Sequence, residues 1–197
     1  MAARGSVAGI VLAAGRGSRF GAPKQLATFR GRPLLEQALL VASDAGLAPF
    51  VVVLGSDADR ILAAVELQGA RPVICERWEE GQAASLQAGI DAVGDAEAAI
   101  ITLGDQPLLS AGAIERVAAA RRPGVVAVRA TYEGVPGHPV LLERVALERA
   151  KQLDGDQGAR ELLAGSTVRA VPCEDLGSGA DVDTPEQLAE LERSPEV

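Results

Sequence analysis

The sequence predicts an α/β protein built on a doubly wound, mostly parallel sheet. Short apolar runs alternate with segments of helical spacing along all 197 residues, and most runs are continuous rather than alternating. Parallel strands covered on both faces read that way. The composition is 48% hydrophobic but only 3% aromatic, which suits an Ala-, Val- and Leu-rich α/β core better than an aromatic-cored sandwich. A glycine-rich loop also follows the first apolar run directly, at the edge where open parallel sheets bind ligands.

Taken in order, the first strand is expected at residues 7–12, where VAGIVL ends in the glycine loop. A helix follows at 34–45, then a β-branched run at 50–54, a helix at 58–67 and a short strand at 72–75. Helical spacing returns at 83–93 and gives way to the most apolar run, AAIITL, at 98–103. The remaining helices fall at 111–121, 144–152, 157–164 and 185–193, and the remaining strands at 125–129, 139–142 and 168–171. Asp156 is the expected cap of the helix at 157–164. The last helix carries the clearest start signal, with Thr184 as cap, Pro185 in the first turn and Gln187 completing a capping box. No repeat, linker or low-complexity segment interrupts the pattern. The chain is therefore expected to be one domain over residues 1–197, ordered from about 5 to 193, with a frayed tail.

Charge is distributed unevenly. Residues 1–35 hold Arg4, Arg16, Arg19, Lys24, Arg30 and Arg32 with no acidic side chain, so a chain of net charge −8 carries −14 on residues 36–197. A local cationic loop in an acidic protein points to a small polyanion, a nucleoside triphosphate above all, and away from a nucleic-acid backbone. Cys75 and Cys173 are far apart and form no CxxC pair, as expected of structural thiols in a reducing compartment. The apolar stretch at residues 7–14 is too short to span a bilayer and leads straight into the loop. A cytoplasmic location without membrane attachment is the resulting expectation.

The loop reads Gly15-Arg16-Gly17-Ser18-Arg19-Phe20-Gly21-Ala22-Pro23-Lys24. Lys24-Gln25 fails the Gly-Lys-Ser/Thr ending of a Walker A loop, and Phe20 occupies the third glycine of a dinucleotide GxGxxG. A longer loop remains, whose amides can close on phosphate oxygens while Arg19 and Lys24 supply charge. Asp105, in Gly104-Asp105-Gln106-Pro107, lands at the carboxyl end of the most apolar strand. It is either a Mg²⁺ ligand or a turn residue capping the helix that starts near Ser110. Asp181 and Asp183, two apart in an extended stretch, share a side and either complete a metal site with Asp105 or support the following helix dipole. Trp78 is a stacking or core-covering ring, and Ser85 lies in a first helical turn. His138 has no second His or Cys nearby and is a substrate-positioning or merely packed side chain. Arg160 is within reach of an anionic substrate.

Together these segments resemble the nucleotidyltransferase family related to the guanylyltransferase of molybdopterin biosynthesis, and most closely its molybdenum cofactor cytidylyltransferase branch. The resemblance rests on LAAGxGxRxGxxK at 12–24, Trp-x-x-Gly with Ser-Leu at 78–86, GDQP at 104–107, GHPV at 137–140, GDxGAR at 155–160 and DxDTPE at 181–186, all in order. It runs from residue 7 to about 191, with Phe20 where many relatives have Met and Gln82-Ala83 departing after the Trp loop. It implies a Rossmann-like three-layer α/β/α sandwich. It also implies a base and triphosphate site at Leu12, Ala13, Ala14, Gly15, Arg16, Gly17 and Gly104, and phosphate-holding roles for Arg19 and Lys24. Mg²⁺ would sit on Asp105 with Asp183 and Asp181, and the acceptor near Trp78, Ser85, His138 and Arg160. The implied reaction transfers CMP from CTP to the phosphate of molybdopterin, with a molybdoenzyme as recipient of the product. Ala22-Pro23-Lys24 and Gly104-Asp105-Gln106-Pro107 lean to the cytidylyl side. Nucleotidyl transfer to a sugar or polyol phosphate, a non-catalytic nucleotide-binding cofactor chaperone, and a reductase on the same fold are the alternatives.

Overall fold

The computed structural model describes residues 7–193, apart from the side chains of Ser18, Ala159 and Arg160. The expected frayed tail at 194–197, and residues 1–6 with Arg4, lie outside the described residues. The strands are β1 (Val7–Ala13), β2 (Thr28–Phe29), β3 (Arg32–Pro33), β4 (Phe50–Leu54), β5 (Arg71–Ile74), β6 (Ala98–Leu103), β7 (Ala127–Tyr132), β8 (Val135–Glu143) and β9 (Val168–Pro172). The helices are α1 (Leu34–Asp44), α2 (Ala58–Ala64), α3 (Gln82–Val93), α4 (Ala111–Ala119), α5 (Arg144–Ala150), α6 (Ala159–Leu163) and α7 (Pro185–Arg193).

One sheet runs in the order β5-β4-β1-β6-β8-β7-β9, with β2 and β3 as a separate small hairpin. β1 pairs in parallel with β4 and β6, bringing Leu12 level with Leu103. Alternate residues of each central strand go to opposite faces, and both faces are covered. Val11, Val52, Ile100 and Leu141 pack with Leu35, Leu39, Ile61 and Ile114 on one side. Ile10, Val53, Ile101 and Val140 pack with Leu86, Ile90 and Leu147 on the other. This is why the strands read as unbroken apolar runs. Ile100 is fully buried, so its side chain contributes about 1.5–3 kcal/mol. Truncating it to Ala would cost about 2–5 kcal/mol once the cavity is counted.

The chain leaves β1 toward β4 and β5 and returns to place β6 on the other side of β1. That reversal opens a crevice at the carboxyl ends of β1 and β6, the place where open α/β sheets take ligands. Ser110 caps α4 through its side chain, 3.2 Å from the Ala113 amide. Thr184 and Gln187 form the expected reciprocal box at the start of α7, at 3.1 and 3.3 Å.

Two expectations need correction, and one small element was not anticipated. The strand expected at 139–142 is the longer β8, antiparallel to both β6 and β7, so the segment around His138 lies within a strand rather than a loop. The cause is the turn at Glu133 and Gly134, whose φ values of 51° and 79° suit a tight hairpin connection. Asp156 does not cap the sixth helix. α6 begins after Gly158, whose N–H donates to the Glu161 carboxylate at 3.0 Å. The small β2–β3 hairpin carries too few residues to leave a periodic signal.

Candidate active site

The glycine-rich loop is shaped by what it must bring together. Gly17 has φ +59°, and a Cβ there would stand 2.8 Å from the Lys24 Cβ, so the loop doubles back on itself only with glycine at this point. Gln25 anchors the fold-back. Its amide nitrogen donates to the carbonyls of Ala13 at 2.7 Å and Gly15 at 2.9 Å. The loop thereby starts from a fixed position although its outer part is exposed.

Lys24 is the hub. Its Nζ lies 2.7 Å from Asp105 Oδ2 and 3.1 Å from Asp183 Oδ1, and Arg19 reaches the other Asp183 oxygen at 3.3 Å. Two backbone bonds hold the carboxylates in register. Gly104 N–H donates to Leu12 O at 2.9 Å, tying the exit of β6 to the end of β1. Val182 N–H donates to Asp105 O at 3.0 Å, laying the segment before α7 against the same turn. Burial works against the Lys24 charge, but the bonds to Asp105 and Asp183 outweigh it and its pKa is raised. Burial pushes the Asp105 carboxyl up, against the pull of Lys24. The more exposed Asp183 is held below the usual range by its hydrogen bond to Lys24.

Among the described residues the buried Asp105 Oδ1 has no hydrogen-bond partner, while Oδ2 is taken by Lys24. Buried acceptors are rarely left that way. Among the described residues, no three His, Cys, Asp or Glu side chains form a group able to hold a metal ion. Asp105 and Asp183 are nevertheless hard oxygen donors of the kind a divalent cation takes in ones and twos, filling its shell with phosphate oxygens and water. The donor set fits such an ion. Asp181 is near enough to help raise the Asp105 pKa, but its Oδ1 accepts from Gln106 Nε2 at 2.7 Å.

The crevice is a cavity of about 550 Å³. Leu12, Ala13, Ala14, Gly15, Arg16, Gly17, Arg19, Lys24, Gly104, Asp105, Trp78, Ser85 and Asp183 all line it. His138 and Asp181 do not, and the Arg160 side chain lies outside the described residues. Trp78 forms one wall. The Arg16 guanidinium sits 5.1 Å from its ring centroid and pairs with Glu79 at 2.9 Å, bridging the glycine loop to the Trp turn. Gly81 closes that turn at φ +115°, where a Cβ would fall on the carbonyl of Gly155. This close approach carries Asp156 to the cavity edge. Of the further lining residues, Gly81 and Asp156 fall in the Trp-x-x-Gly and GDxGAR segments and Gln82 at the departure after the Trp loop, whereas Gln25 carries no hint beyond its place beside Lys24.

His138 lies one strand beyond the cavity, half-buried on β8. Burial, and then the neighbouring Arg129, lower its pKa to about 4, with Asp105 pulling weakly the other way. The ring is neutral at ordinary pH. Cys75 and Cys173 are both buried and unpaired. No helix among the described residues is long and apolar enough to cross a membrane.

A sheet with its crevice at the topological switch, a loop of amides and cations on one lip and carboxylates on the other, defines an enzyme of the nucleotidyltransferase class. The chain belongs to the MobA-like NTP transferase domain family, which matches residues 9–171. Nicotine blue oxidoreductase of Paenarthrobacter nicotinovorans is 35% identical, over 94% of this chain and 96% of that protein. Rv0371c of Mycobacterium tuberculosis H37Rv superposes with a TM-score of 0.86 at 32% identity, covering 96% of this chain and all of that one. A second structure of that protein is a manganese complex, with a TM-score of 0.81 and 30% identity, covering 96% of this chain and all of its own. Molybdopterin-guanine dinucleotide biosynthesis protein A of Archaeoglobus fulgidus shares the fold, with a TM-score of 0.70 at 20% identity over 94% of this chain and 97% of that one.

Proposed function

We propose that the protein transfers CMP from CTP to the phosphate monoester of a small acceptor, molybdopterin in the favoured case, with release of pyrophosphate. The observation that carries the reading is the Lys24 ammonium, 2.7 and 3.1 Å from Asp105 and Asp183, in a crevice lined by the glycine loop. An oxygen of the acceptor phosphate forms a bond to the α-phosphorus. The bond from that phosphorus to the bridging oxygen breaks, and pyrophosphate leaves with the electron pair. The nucleophile is already an anion, so neither a serine nor a cysteine is required.

The chain supplies position and charge. Amides of the glycine loop and Gly104 hold the triphosphate, and the Trp78 ring offers a flat face to a base or substrate ring. Lys24 and Arg19 exchange their carboxylate partners for phosphate oxygens and stabilise charge growing on the α-phosphate and the leaving group. Asp105 and Asp183 would hold a divalent cation, Mg²⁺ in this reading, which supplies Lewis-acid neutralisation of the phosphate oxygens. Asp181 serves as a support, through Gln106. CTP is favoured over GTP because Ala22-Pro23-Lys24 and Gly104-Asp105-Gln106-Pro107 resemble the cytidylyl branch.

A second reading follows from the oxidoreductase name of the relative at 35% identity. It requires a hydride-carrying cofactor, and the loop lacks the third glycine of a dinucleotide fingerprint. A panel of CTP, GTP, UTP, ATP, NADH and NADPH, each with and without Mg²⁺, separates the readings by thermal shift, since a ligand of the folded state raises stability by mass action. Molybdopterin is then added and pyrophosphate and product mass are measured. CTP giving the largest shift, with pyrophosphate release, is expected. NADPH shifting the melt while no triphosphate does so would replace the transferase by the reductase, and binding without pyrophosphate release would leave a nucleotide-binding chaperone.

A further inference from the structure

Arg129 is an arginine in the interior of an apolar strand, and the residues around it leave its charge unanswered. Ile101 of β6, Val140 of β8 and Arg129 of β7 stand in one row across the sheet. Strand alternation places all three on the face covered by α3 and α5, the same face against which Trp78 packs, while His138 lies where the register of β7 and β8 shifts. The side chain is half-buried, and its Nε donates to Gly137 O at 3.4 Å. Gly137 lies three positions nearer the ligand edge than the residue paired with Arg129, so the guanidinium runs along β8 toward the crevice. Among the described residues no carboxylate forms an ion pair with it, and burial alone lowers its pKa. A buried cation without an anion is costly to maintain, and a site that receives an anion is one reason to retain it.

His138 is near enough to both this guanidinium and Asp105 to feel their charges. Strands in a sheet are about 4.8 Å apart, so Arg129 belongs to a strand about 10 Å from β6 and the carboxylate turn that follows it. A phosphate monoester bridges that interval when its oxygens meet the guanidinium on one side and the α-phosphorus of a bound nucleotide on the other.

We propose that Arg129, with the neutral ring of His138 beside it, forms the seat for the acceptor's phosphate monoester. This deepens the transferase reading and rests on it, since an acceptor seat has meaning only beside a nucleotide site. Arg129 supplies a fork of N–H donors matched to phosphate oxygens. His138, uncharged, contributes one N–H without competing for the anion. Neither residue lines the nucleotide cavity, so the two sites are separable by mutation.

The test uses methyl phosphate as the probe, titrated by ³¹P NMR into the wild type, Arg129→Gln and Arg129→Lys, with CTP affinity measured in parallel. The expected result is saturable methyl phosphate binding by the wild type, weakened about tenfold or more in Arg129→Gln and less in Arg129→Lys, which keeps the charge but loses the fork, with CTP affinity unchanged throughout. Phenylglyoxal, which modifies arginine, should label Arg129 in the wild type, and methyl phosphate should protect it, as read by peptide mass. That measurement stands even when Arg129→Gln fails to fold. Equal methyl phosphate binding in all three proteins, no binding by the wild type, or unprotected labelling of Arg129 each overturns the seat. If CTP does not bind but methyl phosphate still depends on Arg129, the transferase reading falls while the anion seat stands.

Discussion

His138 gives the structure a measurable pH signature. In the unfolded chain its imidazole takes a proton near pH 6.5, while in the folded protein burial and Arg129 hold it unprotonated down to about 4. Between those values the unfolded state binds more protons, so stability is lost as pH falls through 6.5 toward 4 and changes little above. With these two pKa values, acidification from about pH 7.5 to about pH 5 costs about 2 kcal/mol through this one group. For a chain of this size that corresponds to a fall of about 4–8 °C in Tm. The experiment compares urea denaturation of the wild type and His138→Gln at both pH values. Other titrating groups, including the oppositely displaced Asp105, act in both proteins, and their main effects cancel in the difference. The variant should lose about 2 kcal/mol less stability on acidification than the wild type. Equal losses would refute the claim that His138 is buried neutral beside a cation.

Three further outcomes follow from the site. Lys24→Ala should lower turnover by about 10²-fold or more, the usual loss on removing one electrostatic stabiliser, measured as pyrophosphate release at saturating CTP and Mg²⁺. Gln25→Glu points a carboxylate at the carbonyls of Ala13 and Gly15, and should cost about 1–3 kcal/mol in a denaturation experiment while weakening CTP binding. Gly81→Ala demands an unfavourable φ and drives a methyl group into the Gly155 carbonyl, so it should lower both Tm and nucleotide affinity; wild-type behaviour would show that the 78–81 and 155–156 segments do not pack as described.

Much of this arrangement was legible before any coordinates. The continuous apolar runs at β1, β4 and β6 announced a sheet covered on both sides, and the charge-bearing glycine loop sat where β1 had to end. Lys24, Asp105 and Asp183 stood out by their places after apolar strands and before a helix start, but the sequence left both carboxylates open between metal ligand and turn or helix-dipole residue. Strand direction was not. PVLL looks the same in a parallel or an antiparallel strand, and the deciding signal was the Glu133-Gly134 turn, two residues long. Gly81 acts through a contact with Gly155 made far away in sequence, and Gln25 through carbonyls of the loop it follows, so its neighbour Lys24 is the one local hint of it. Asp181 and Asp183 share a spacing that suggested one role, yet Gln106 captures the first and Lys24 the second. Arg129 did leave a trace, as a lone charge in a β-branched run, but its unmatched burial appears only once the neighbouring strands are known.

The Lys24–Asp183 contact spans 159 positions along the polypeptide. A ribosome delivers the ammonium 159 residues before its second carboxylate, and a domain folds as a unit. The phosphate-handling centre therefore stays incomplete on a nascent chain until Asp183 has followed Lys24 out of the ribosome.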